Sequence, residues 1–378
     1  MSHGPNSLKI DLSALKKNLG QIKKILIPGT QVMGVVKSDA YGHGLIPVAR
    51  ALAREGVSCL GVSFIDEALK LRSAGIGLPI ILLCGFENRE GAREVAINEL
   101  TPFIFDYWMA ETLDKEGSRL GKKIPVQIKI DTGMGRLGIP FAETERFLKR
   151  IISYENLNIE ALTSHLSSAD ERDNGFTKTQ IRSFKEAVLK GQSLGLKLPM
   201  NNLANSAGIM GHKDSHFSMV RPGIMLYGGL PSPGFESNIR LEPVMRFCGR
   251  VLQVREFADN TPLSYGRTYR TKSRQKIAVV SAGYGDGLLR SLSNEGQVLI
   301  KGKKAPIVGR VCMNMLLCDV SDIEGLRPDD EVLFLGMVEN ESITGDDLAE
   351  WGDTISYEIF CSLGRCNNKE YINESKVA

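Results

Sequence analysis

The sequence predicts an α/β protein with two parts, an N-terminal (β/α)8 TIM-like barrel and a C-terminal, predominantly β domain. Three observations favour this fold class: short apolar runs alternate with amphipathic segments from residue 32 to about residue 228, several amphipathic segments are followed by glycine, and the alternation stops after residue 231. Glycine just after a helix enters the left-handed region without a Cβ clash. The 378 residues also exceed the ~250–300 at which one core usually stops growing, which predicts two domains.

Eight strands are expected in the first part, at residues 32–36, 59–64, 80–84, 101–105, 126–130, 159–165, 200–204 and 220–226. One helix is expected before them at 11–25, and others lie between strands at 47–54, 66–73, 93–99, 141–152 and 178–193. Strands that alternate with helices form a parallel sheet. Eight such repeats over roughly 200–250 residues favour a closed barrel over an open doubly wound sheet.

The second part is expected to consist mainly of strands, at 245–257, 276–282, 297–300, 306–311, 316–320 and 331–335, separated by Gly, Asn and Asp turns. A helix is expected at 346–351 and another after residue 354. We therefore divide the chain into an N-terminal strand at 1–12 that joins the β domain, a barrel at 13–235 and a β-rich domain at 236–378.

Composition excludes several classes of protein. The formal net charge of +3 is too balanced for an electrostatic nucleic-acid binder. Seven cysteines without a CxxC pair indicate neither a disulfide framework nor a zinc site. No run of roughly 18 apolar residues occurs, and the N-terminal residues do not resemble a signal peptide. We therefore expect a cytoplasmic protein that binds neither nucleic acid nor membranes.

The segment 133–138 matches the pattern GxGxxG of dinucleotide-binding proteins. That pattern belongs to the first βα unit of such proteins, with an acidic residue ~20 positions later. Here the segment follows the fifth strand and is itself followed by Pro140. We interpret its glycines instead as a sharp turn at the barrel mouth that holds Arg136 inward.

Residues at the carboxyl ends of the barrel strands are the candidate functional residues, because the chemistry of this fold takes place there. They are mostly cationic or polar: Lys37, Arg136, His165, Asn205, Ser206, Arg221, Gly223 and Tyr227. Such a cluster suits an anionic ligand with phosphate and carboxylate groups. The loops after strands seven and eight are the usual phosphate site of the fold.

Lys37 indicates the cofactor. It directly follows an apolar strand, so its ammonium is expected to be desolvated and its pKa lowered. A lysine of lowered pKa forms imines readily. Together with a phosphate site and an inward arginine, Lys37 points to pyridoxal 5′-phosphate (PLP), for which the protein supplies orientation and electrostatics. No metal is expected.

The segment 35–44, VVKSDAYGHG, resembles the cofactor-lysine motif of bacterial alanine racemases, which are fold-type III PLP-dependent enzymes with an N-terminal barrel and a C-terminal β domain. Other segments resemble further motifs of this family in the family's order: 129–138, 204–206, 219–228, 264–266, 283–287, 309–313 and 357–358. One such match would be weak, but the full ordered set covers nearly the whole chain and is very specific. The resemblance implies an isomerase that interconverts L-alanine and D-alanine and supplies D-alanine for peptidoglycan.

The resemblance implies a two-base mechanism. Lys37 would carry PLP and act as one base, and Tyr265 of the partner subunit would act as the other. Racemisation removes a proton from one face of Cα and returns one to the opposite face, so it requires two bases. A phenol needs cationic help to act as a base, and His165, bonded toward Arg221, is the family's candidate for supplying it. We therefore expect a head-to-tail homodimer with shared sites and an inactive monomer.

The resemblance also implies the contacts of the cofactor. The phosphate would be held by Tyr41, Ser206, the amides of Gly223 and Ile224, and Tyr227. Arg221 would face the pyridine nitrogen. Because arginine is donor-only and stays protonated, the ring would remain a weaker electron sink than beside a carboxylate.

Substrate contacts are implied in the same way. Arg136 and the Met313 backbone would contact the substrate carboxylate, and Lys129 matches a lysine that many members carry as a carbamate. Tyr265 and Tyr357 would narrow the access channel. Further gate residues would be Asp170, Arg290 and Arg310.

Two departures from the family pattern stand near these residues: Asn314 where many members have Asp, and Asn at 201 and 202 where a His is common. Three alternatives stay open: a broad-specificity amino-acid racemase of the same fold, a PLP-dependent decarboxylase, and a non-catalytic PLP-binding protein. The decarboxylases place an acid at the pyridine nitrogen, where this chain has Arg221. The non-catalytic proteins consist of a lone barrel.

Overall fold

The computed structural model describes residues 4–373, so the outermost parts of the predicted first and last segments, 1–3 and 374–378, lie outside it. A first strand, β1 (Ser7–Asp11), precedes the barrel. The strands of the barrel sheet are β2 (Gln31–Val35), β3 (Cys59–Val62), β4 (Ile80–Leu82), β5 (Leu100–Ile104), β6 (Ile124–Asp131), the short β7 (Ile139–Pro140), β8 (Leu157–Thr163) and β9 (Met219–Val220). Neighbouring strands in this sheet are parallel.

The barrel closes through a single residue at its seventh position, Asn202, which forms one bridge to each neighbouring strand. β6 pairs with β8, Thr163 of β8 bridges Asn202, and Asn202 bridges Met219 of β9, which pairs with β2. The short β7 pairs only with the end of β6 and is an addition to this ring. Eight parallel positions therefore surround one axis. The predicted fold class, a (β/α)8 barrel followed by a predominantly β domain, is confirmed.

The right-handed helices are α1 (Leu12–Ile25), α2 (Leu45–Arg54), α3 (Ile65–Ser73), α4 (Arg89–Ile97), α5 (Tyr107–Leu120), α6 (Thr144–Ile151), α7 (Gly175–Ser193), α8 (Ser206–Gly211), α9 (Gly345–Gly352) and α10 (Ser356–Cys366). The sequence-based prediction lacks α5, although its ends carry recognisable signals. Asp106 accepts the Trp108 amide at its start, and Gly121 ends it in the left-handed conformation, with φ of 62°.

The eighth strand is shorter than predicted. A strand is expected over 220–226, but β9 ends at Val220 and Ile224–Tyr227 form a 3-10 helix. Pro222 has no backbone N–H to donate, so only its carbonyl oxygen still takes part, accepting the Val35 amide at 3.1 Å. The change matters for the site because it sets the direction of Tyr227.

The C-terminal domain contains β10 (Met245–Phe257), β11 (Pro262–Leu263), β12 (Tyr269–Arg270), β13 (Gln275–Ser281), β14 (Gln297–Ile300), β15 (Lys303–Pro306), β16 (Met315–Asp319), β17 (Glu331–Val338), β18 (Glu341–Ile343) and β19 (Lys369–Ile372). In its main sheet, β1 lies between β10, to which it is antiparallel, and β19, to which it is parallel. The strand predicted at 306–311 is displaced to β15. The short turn after Ile300 pairs that residue with Lys303, so the hairpin ladder ends at Pro306.

Two features bear on the predicted protein class. Within residues 4–373, no helix combines the length and apolarity needed to cross a membrane. The seven cysteines all lie in this range, and none is bonded to another.

Candidate active site

A cavity of about 330 Å³ lies at the carboxyl ends of the barrel strands. The predicted residues that line it are Lys37, Tyr41, Lys129, Arg136, His165, Asn205, Ser206, Arg221, Gly223, Ile224 and Tyr357. Two lysines and two arginines are among them, whereas no Asp or Glu within residues 4–373 lines the cavity. The wall is therefore strongly cationic and suits an anionic ligand.

Lys37 follows β2 and begins one turn of left-handed helix. The next four residues, Ser38 to Tyr41, all have φ close to 55°, and none is glycine. Each such residue costs about 1–2 kcal/mol relative to the right-handed form, so neighbouring groups must hold the turn. We call residues 37–41 the Lys37 turn. Its first and last residues, Lys37 and Tyr41, both line the cavity.

The environment of Lys37 favours its neutral amine. Burial lowers the pKa of Lys37 below its ordinary range, and the Arg136 guanidinium lowers it further. The charge of Glu67 acts in the opposite direction but is outweighed. The shift is in the direction that the sequence predicts for a lysine at this place, and a lower pKa makes an amine more available as a nucleophile.

Hydroxyl and amide groups meet on the wall next to the Lys37 turn. Ser206 Oγ accepts the Gly223 amide at 3.1 Å, and no acceptor for the Ile224 amide is found among residues 4–373. Gly223 approaches Tyr41 so closely that a Cβ atom there would lie 2.4 Å from the Tyr41 hydroxyl oxygen. This wall offers donors that suit phosphate oxygens.

Tyr227 does not belong to this wall, which corrects the sequence-based prediction. It is completely buried, and its hydroxyl donates to the Val35 carbonyl oxygen at 2.9 Å. The 3-10 helix that follows Pro222 turns it away from the cavity. Tyr357 lines the cavity instead, with its ring centroid 5.8 Å from that of Tyr41.

Arg221 is buried and held by many acceptors. Nη1 donates to Thr163 Oγ1 at 2.6 Å and to Asn202 Oδ1, while Nη2 donates to the Ser164 carbonyl at 2.6 Å. Burial lowers the pKa of Arg221 to about 10, which leaves it charged at neutral pH. All hydrogen bonds found for its side chain within residues 4–373 start from Nη1 or Nη2. Its Nε–H therefore remains available to a ligand.

His165 contacts Arg221, as the sequence predicts. The distance from Arg221 Nη2 to His165 Nδ1 is 3.1 Å. Burial, and then the charge of Arg221, hold the pKa of His165 well below its ordinary value. The ring is therefore neutral. Its Nδ1 accepts a hydrogen bond from Arg221 Nη2, so its own proton is on Nε2. His165 can supply an N–H donor, whereas the positive charge stays on Arg221.

Lys129 is a buried lysine without an anionic partner among the described residues. Its Nζ lies 5.6 Å from the centroid of the Phe103 ring. Burial, followed by the charges of Arg221 and Arg136, places the pKa of Lys129 well below its ordinary range. This shift favours the neutral amine, and any anion formed on it would lie near the charges of Arg221 and Arg136.

Arg136 reaches the cavity mouth from the GxGxxG loop. The Asp131 carboxylate accepts the amides of Gly133 at 2.9 Å and Gly135 at 3.0 Å. Gly138 has φ of 130°, and a Cβ there would lie 2.7 Å from the Asp131 nitrogen. These glycines make a sharp turn that carries Arg136 to the cavity, as the sequence predicts.

Several predicted residues of the β domain do not line the cavity of their own chain: Tyr265, Met313, Arg290 and Arg310. Tyr265 is 70% exposed and Met313 is 58% exposed. Arg310 lies beside the Tyr265 segment, because its backbone N–H donates to Ser264 Oγ at 3.0 Å.

Asp170 belongs to the barrel part of the chain and does not line the cavity. Burial raises the pKa of Tyr357, and the negative charge of Asp170 raises it further. The predicted gate residues therefore do not all lie at this cavity. Tyr357 lines the cavity, whereas Asp170, Arg290 and Arg310 do not.

Sequence reasoning missed the residues that support these side chains. Thr163 and Asn202 hold Arg221, and Asn202 also donates to Gln127 Oε1 at 3.0 Å. The sequence does offer a signal for both residues, because each is a polar residue inside a predicted barrel strand. Glu67, which supports the Lys37 turn, lies in an ordinary amphipathic helix, and no sequence signal marks it.

Comparison with known proteins identifies the family. Residues 10–231 match the family model described as alanine racemase, N-terminal domain, and residues 244–371 match that of the C-terminal domain. The alanine racemase of Syntrophobacter fumaroxidans is 43% identical over 366 residues, which are 97% of each protein.

Solved structures agree with this match. The chain resembles alanine racemase from Streptomyces lavendulae with a TM-score of 0.91 and 29% identity, over 99% of this chain and 98% of that one. It resembles alanine racemase from Bartonella henselae with covalently bound pyridoxal phosphate with a TM-score of 0.87 and 30% identity, over 98% of this chain and 100% of that one. The chain therefore belongs to the alanine racemase family, a family of isomerases.

Proposed function

We propose that the protein is a cytoplasmic, PLP-dependent homodimer that interconverts L-alanine and D-alanine and supplies D-alanine for peptidoglycan. One observation carries this proposal. A half-buried lysine of lowered pKa stands in a cationic cavity beside a wall of hydroxyl and amide groups. The relative from Bartonella henselae, whose structure contains covalently bound pyridoxal phosphate, supports it.

The residues of the cavity fit PLP. Lys37 would hold the aldehyde carbon covalently, and Tyr41, Ser206 and the Ile224 amide would hold the phosphate. The Gly223 amide, also predicted for the phosphate, donates to Ser206 Oγ instead. Arg221 would donate from Nε to the pyridine nitrogen. When bound, PLP withdraws electrons from the substrate Cα and makes its hydrogen acidic.

Arg221 would determine whether the proton returns to the substrate Cα or goes to another atom. Its guanidinium donates hydrogen bonds and stays charged at neutral pH, so a pyridine nitrogen bound beside it would not receive a proton from it. A carboxylate at this position would strengthen electron withdrawal into the ring. Arg221 therefore favours return of the proton to Cα over the side reaction of transamination.

Two bases would serve the opposite faces of Cα. Lys37 acts from the barrel of one chain, and Tyr265 of the partner subunit acts from the other side. The exposure of Tyr265 supports an intermolecular role. Neutral His165 would direct its Nε2–H toward the phenol oxygen, with Arg221 as the source of positive charge behind it.

The remaining residues would select a small substrate. Arg136 and the backbone of the partner's Met313 would contact the substrate carboxylate. Tyr357 and the partner's Tyr265 would leave room for a methyl side chain and little more. The outer gate would consist of Asp170, the partner's Arg290 and the partner's Arg310.

Optical rotation tests the proposed function. We expect the rotation of L-alanine to fall toward zero in the presence of the protein and PLP, and that of L-serine, L-lysine and L-arginine to change much more slowly. Equal rates on all four would indicate a broad-specificity racemase. Release of CO₂ alone, or cofactor binding without turnover, would contradict the proposal. Rescue of a bacterial strain that requires D-alanine would test the peptidoglycan role.

Gly223→Ala is expected to weaken PLP binding. The new Cβ would stand 2.4 Å from the Tyr41 hydroxyl oxygen and displace that hydroxyl from the phosphate wall. Losing a hydrogen bond to a charged group should raise the dissociation constant by about tenfold to a hundredfold. The constant is measured by titrating PLP-free protein and following absorbance. Gly77→Ala is the matched control, because nothing lies within 4 Å of its Cβ position. Equal constants for both variants would contradict the assignment.

Lys129 is expected to carry a carbamate. Its neutral amine would attack the carbon of CO₂ and release one proton, and the resulting anion would brace Arg136. Protein equilibrated with ¹³C-bicarbonate should show a carbamate carbon signal that Lys129→Ala lacks. Racemisation by this variant should fall by about a hundredfold, the cost of a misplaced positioning group. Exposed Lys123→Ala is the control. A wild-type protein without the signal would contradict the assignment.

A further inference from the structure

The Lys37 turn is held at its beginning by one carboxylate. The backbone N–H groups of Ser38 and Asp39 donate to Glu67 Oε1 at 2.5 and 3.4 Å. The other oxygen, Oε2, accepts the N–H of Ser63 at 2.9 Å. Glu67 lies in the first turn of α3. It therefore fastens together the segments that follow β2 and β3, the first two barrel strands.

Different groups hold the far end of the turn. Asp39 Oδ1 accepts the Leu45 amide at 2.7 Å, and Asp39 Oδ2 lies 3.0 Å from Lys369 Nζ. His43 Nδ1 lies 3.1 Å from the Ala40 carbonyl oxygen. None of these contacts reaches the amide that directly follows Lys37. Among the described residues, Glu67 alone holds that amide.

The chemistry of this contact requires a carboxylate of this length. Three N–H groups from two separate segments need two acceptor oxygens and no donor, which only Asp and Glu side chains offer. Glutamine would turn its NH₂ group toward one of the segments. Aspartate would keep both oxygens but is one methylene shorter. Hydrogen bonds to a charged acceptor are also about twice as strong as neutral ones.

We propose that Glu67 is a positioning residue for racemisation. By fixing the Lys37 turn against Ser63, it holds the Lys37 amine at the cavity wall, although four successive residues adopt a conformation that they would not keep alone. Glu67 does not line the cavity, so it acts through Lys37. This inference rests on the proposed function, in which Lys37 binds PLP.

Glu67→Gln tests the proposal in the full-length, PLP-loaded protein. Amide hydrogen exchange at Ser38, Asp39 and Ser63 should become about tenfold to a hundredfold faster, as expected for lost bonds to a charged group. The kcat for L-alanine should fall by a similar factor while KM changes by less than about threefold, because the reacting groups are misplaced and the carboxylate contacts are kept. The visible absorbance of PLP should also disappear faster on dilution.

Asp66→Asn is the matched control. It removes the same charge from the same helix, but Asp66 is exposed and lies 3.5 Å from Lys70, away from the turn. We expect wild-type exchange and kcat. Glu67→Asp should give amide exchange rates and a kcat between those of the wild type and Glu67→Gln. If Glu67→Gln does not fold, Glu67→Asp is compared with the wild type instead.

Two outcomes would overturn different statements. If Glu67→Gln matches Asp66→Asn in exchange, kcat and PLP release, the positioning role is wrong although the racemase proposal stands. If the wild-type protein takes up no PLP, the proposed function fails. The exchange rates would then still show whether Glu67 holds the turn.

Discussion

Replacing Lys37 with alanine is expected to reduce alanine racemisation by about 10⁴-fold or more, because proton transfer by a positioned base alone contributes ~10²–10⁴-fold and the covalent attachment of PLP is lost as well. The visible absorbance band of the bound cofactor should disappear. Borohydride reduction of the wild-type protein should place the mass of reduced PLP on the peptide that contains Lys37.

Lys70→Ala is the control for this experiment, because Lys70 is exposed on α3 and its ion pair is with Asp66. It should keep full activity and the visible band. An intact band in Lys37→Ala, or reduced PLP on another lysine, would remove Lys37 from its assigned role. Buried Lys129 is the obvious rival, since it lines the same cavity and its pKa is also lowered.

Tyr265→Phe is expected to produce the second-largest loss, about 10²–10⁴-fold in racemisation, the usual contribution of a general acid or base. The ring is kept and only the hydroxyl is removed, so the substrate should still bind. In D₂O, the enantiomer that Lys37 deprotonates should exchange its Cα hydrogen without inversion. Proton NMR of both enantiomers measures this directly. Loss of exchange from both enantiomers would contradict a separate role for the two bases.

Mixing two inactive variants tests whether the site is shared between chains. A dimer of one Lys37→Ala chain and one Tyr265→Phe chain has one intact site only if Tyr265 serves the partner. Random exchange of chains in a symmetric dimer should then restore about a quarter of the wild-type activity. If Tyr265 served its own chain, no dimer would contain an intact site. Tyr284→Phe, a change at another exposed tyrosine of the β domain, is the matched control and should stay active.

The fold and most of the cavity could be predicted because both follow from local pattern and topology. Strand–helix alternation gives the parallel barrel, and the barrel brings together Lys37, Arg136 and Arg221, which are far apart in the chain. Even the closing bridge at Asn202 lies within an expected strand. Most of the cavity residues could therefore be predicted simply because they directly follow a strand of the barrel.

Side-chain direction after an irregular turn could not be predicted in this way. Tyr227 and Tyr357 both lie in segments that resemble family motifs, and periodicity does not distinguish them. Pro222 ends the ladder, and the 3-10 helix then directs Tyr227 to the Val35 carbonyl, which leaves the cavity to Tyr357. The choice depends on backbone angles that no repeating pattern fixes.

The protonation state of His165 could also not be predicted from the sequence. A histidine near neutral pH takes its state from burial and neighbours, and here burial and Arg221 both lower the pKa and disfavour the cation. Those neighbours come from other strands of the barrel. The sequence therefore indicates that His165 and Arg221 meet, but not which of them carries the proton.

The placement of β1 sets the order in which the molecule can be completed during synthesis. Leu8 of β1 pairs with Lys369 of β19, so this edge of the sheet can form only after residues 369–372 have been synthesised. The barrel, built from neighbouring repeats, can fold ahead of it. Lys369 also supplies the ion pair to Asp39 in the Lys37 turn. A nascent chain that lacks β19 therefore lacks both the strand beside β1 and the ion pair that holds Asp39.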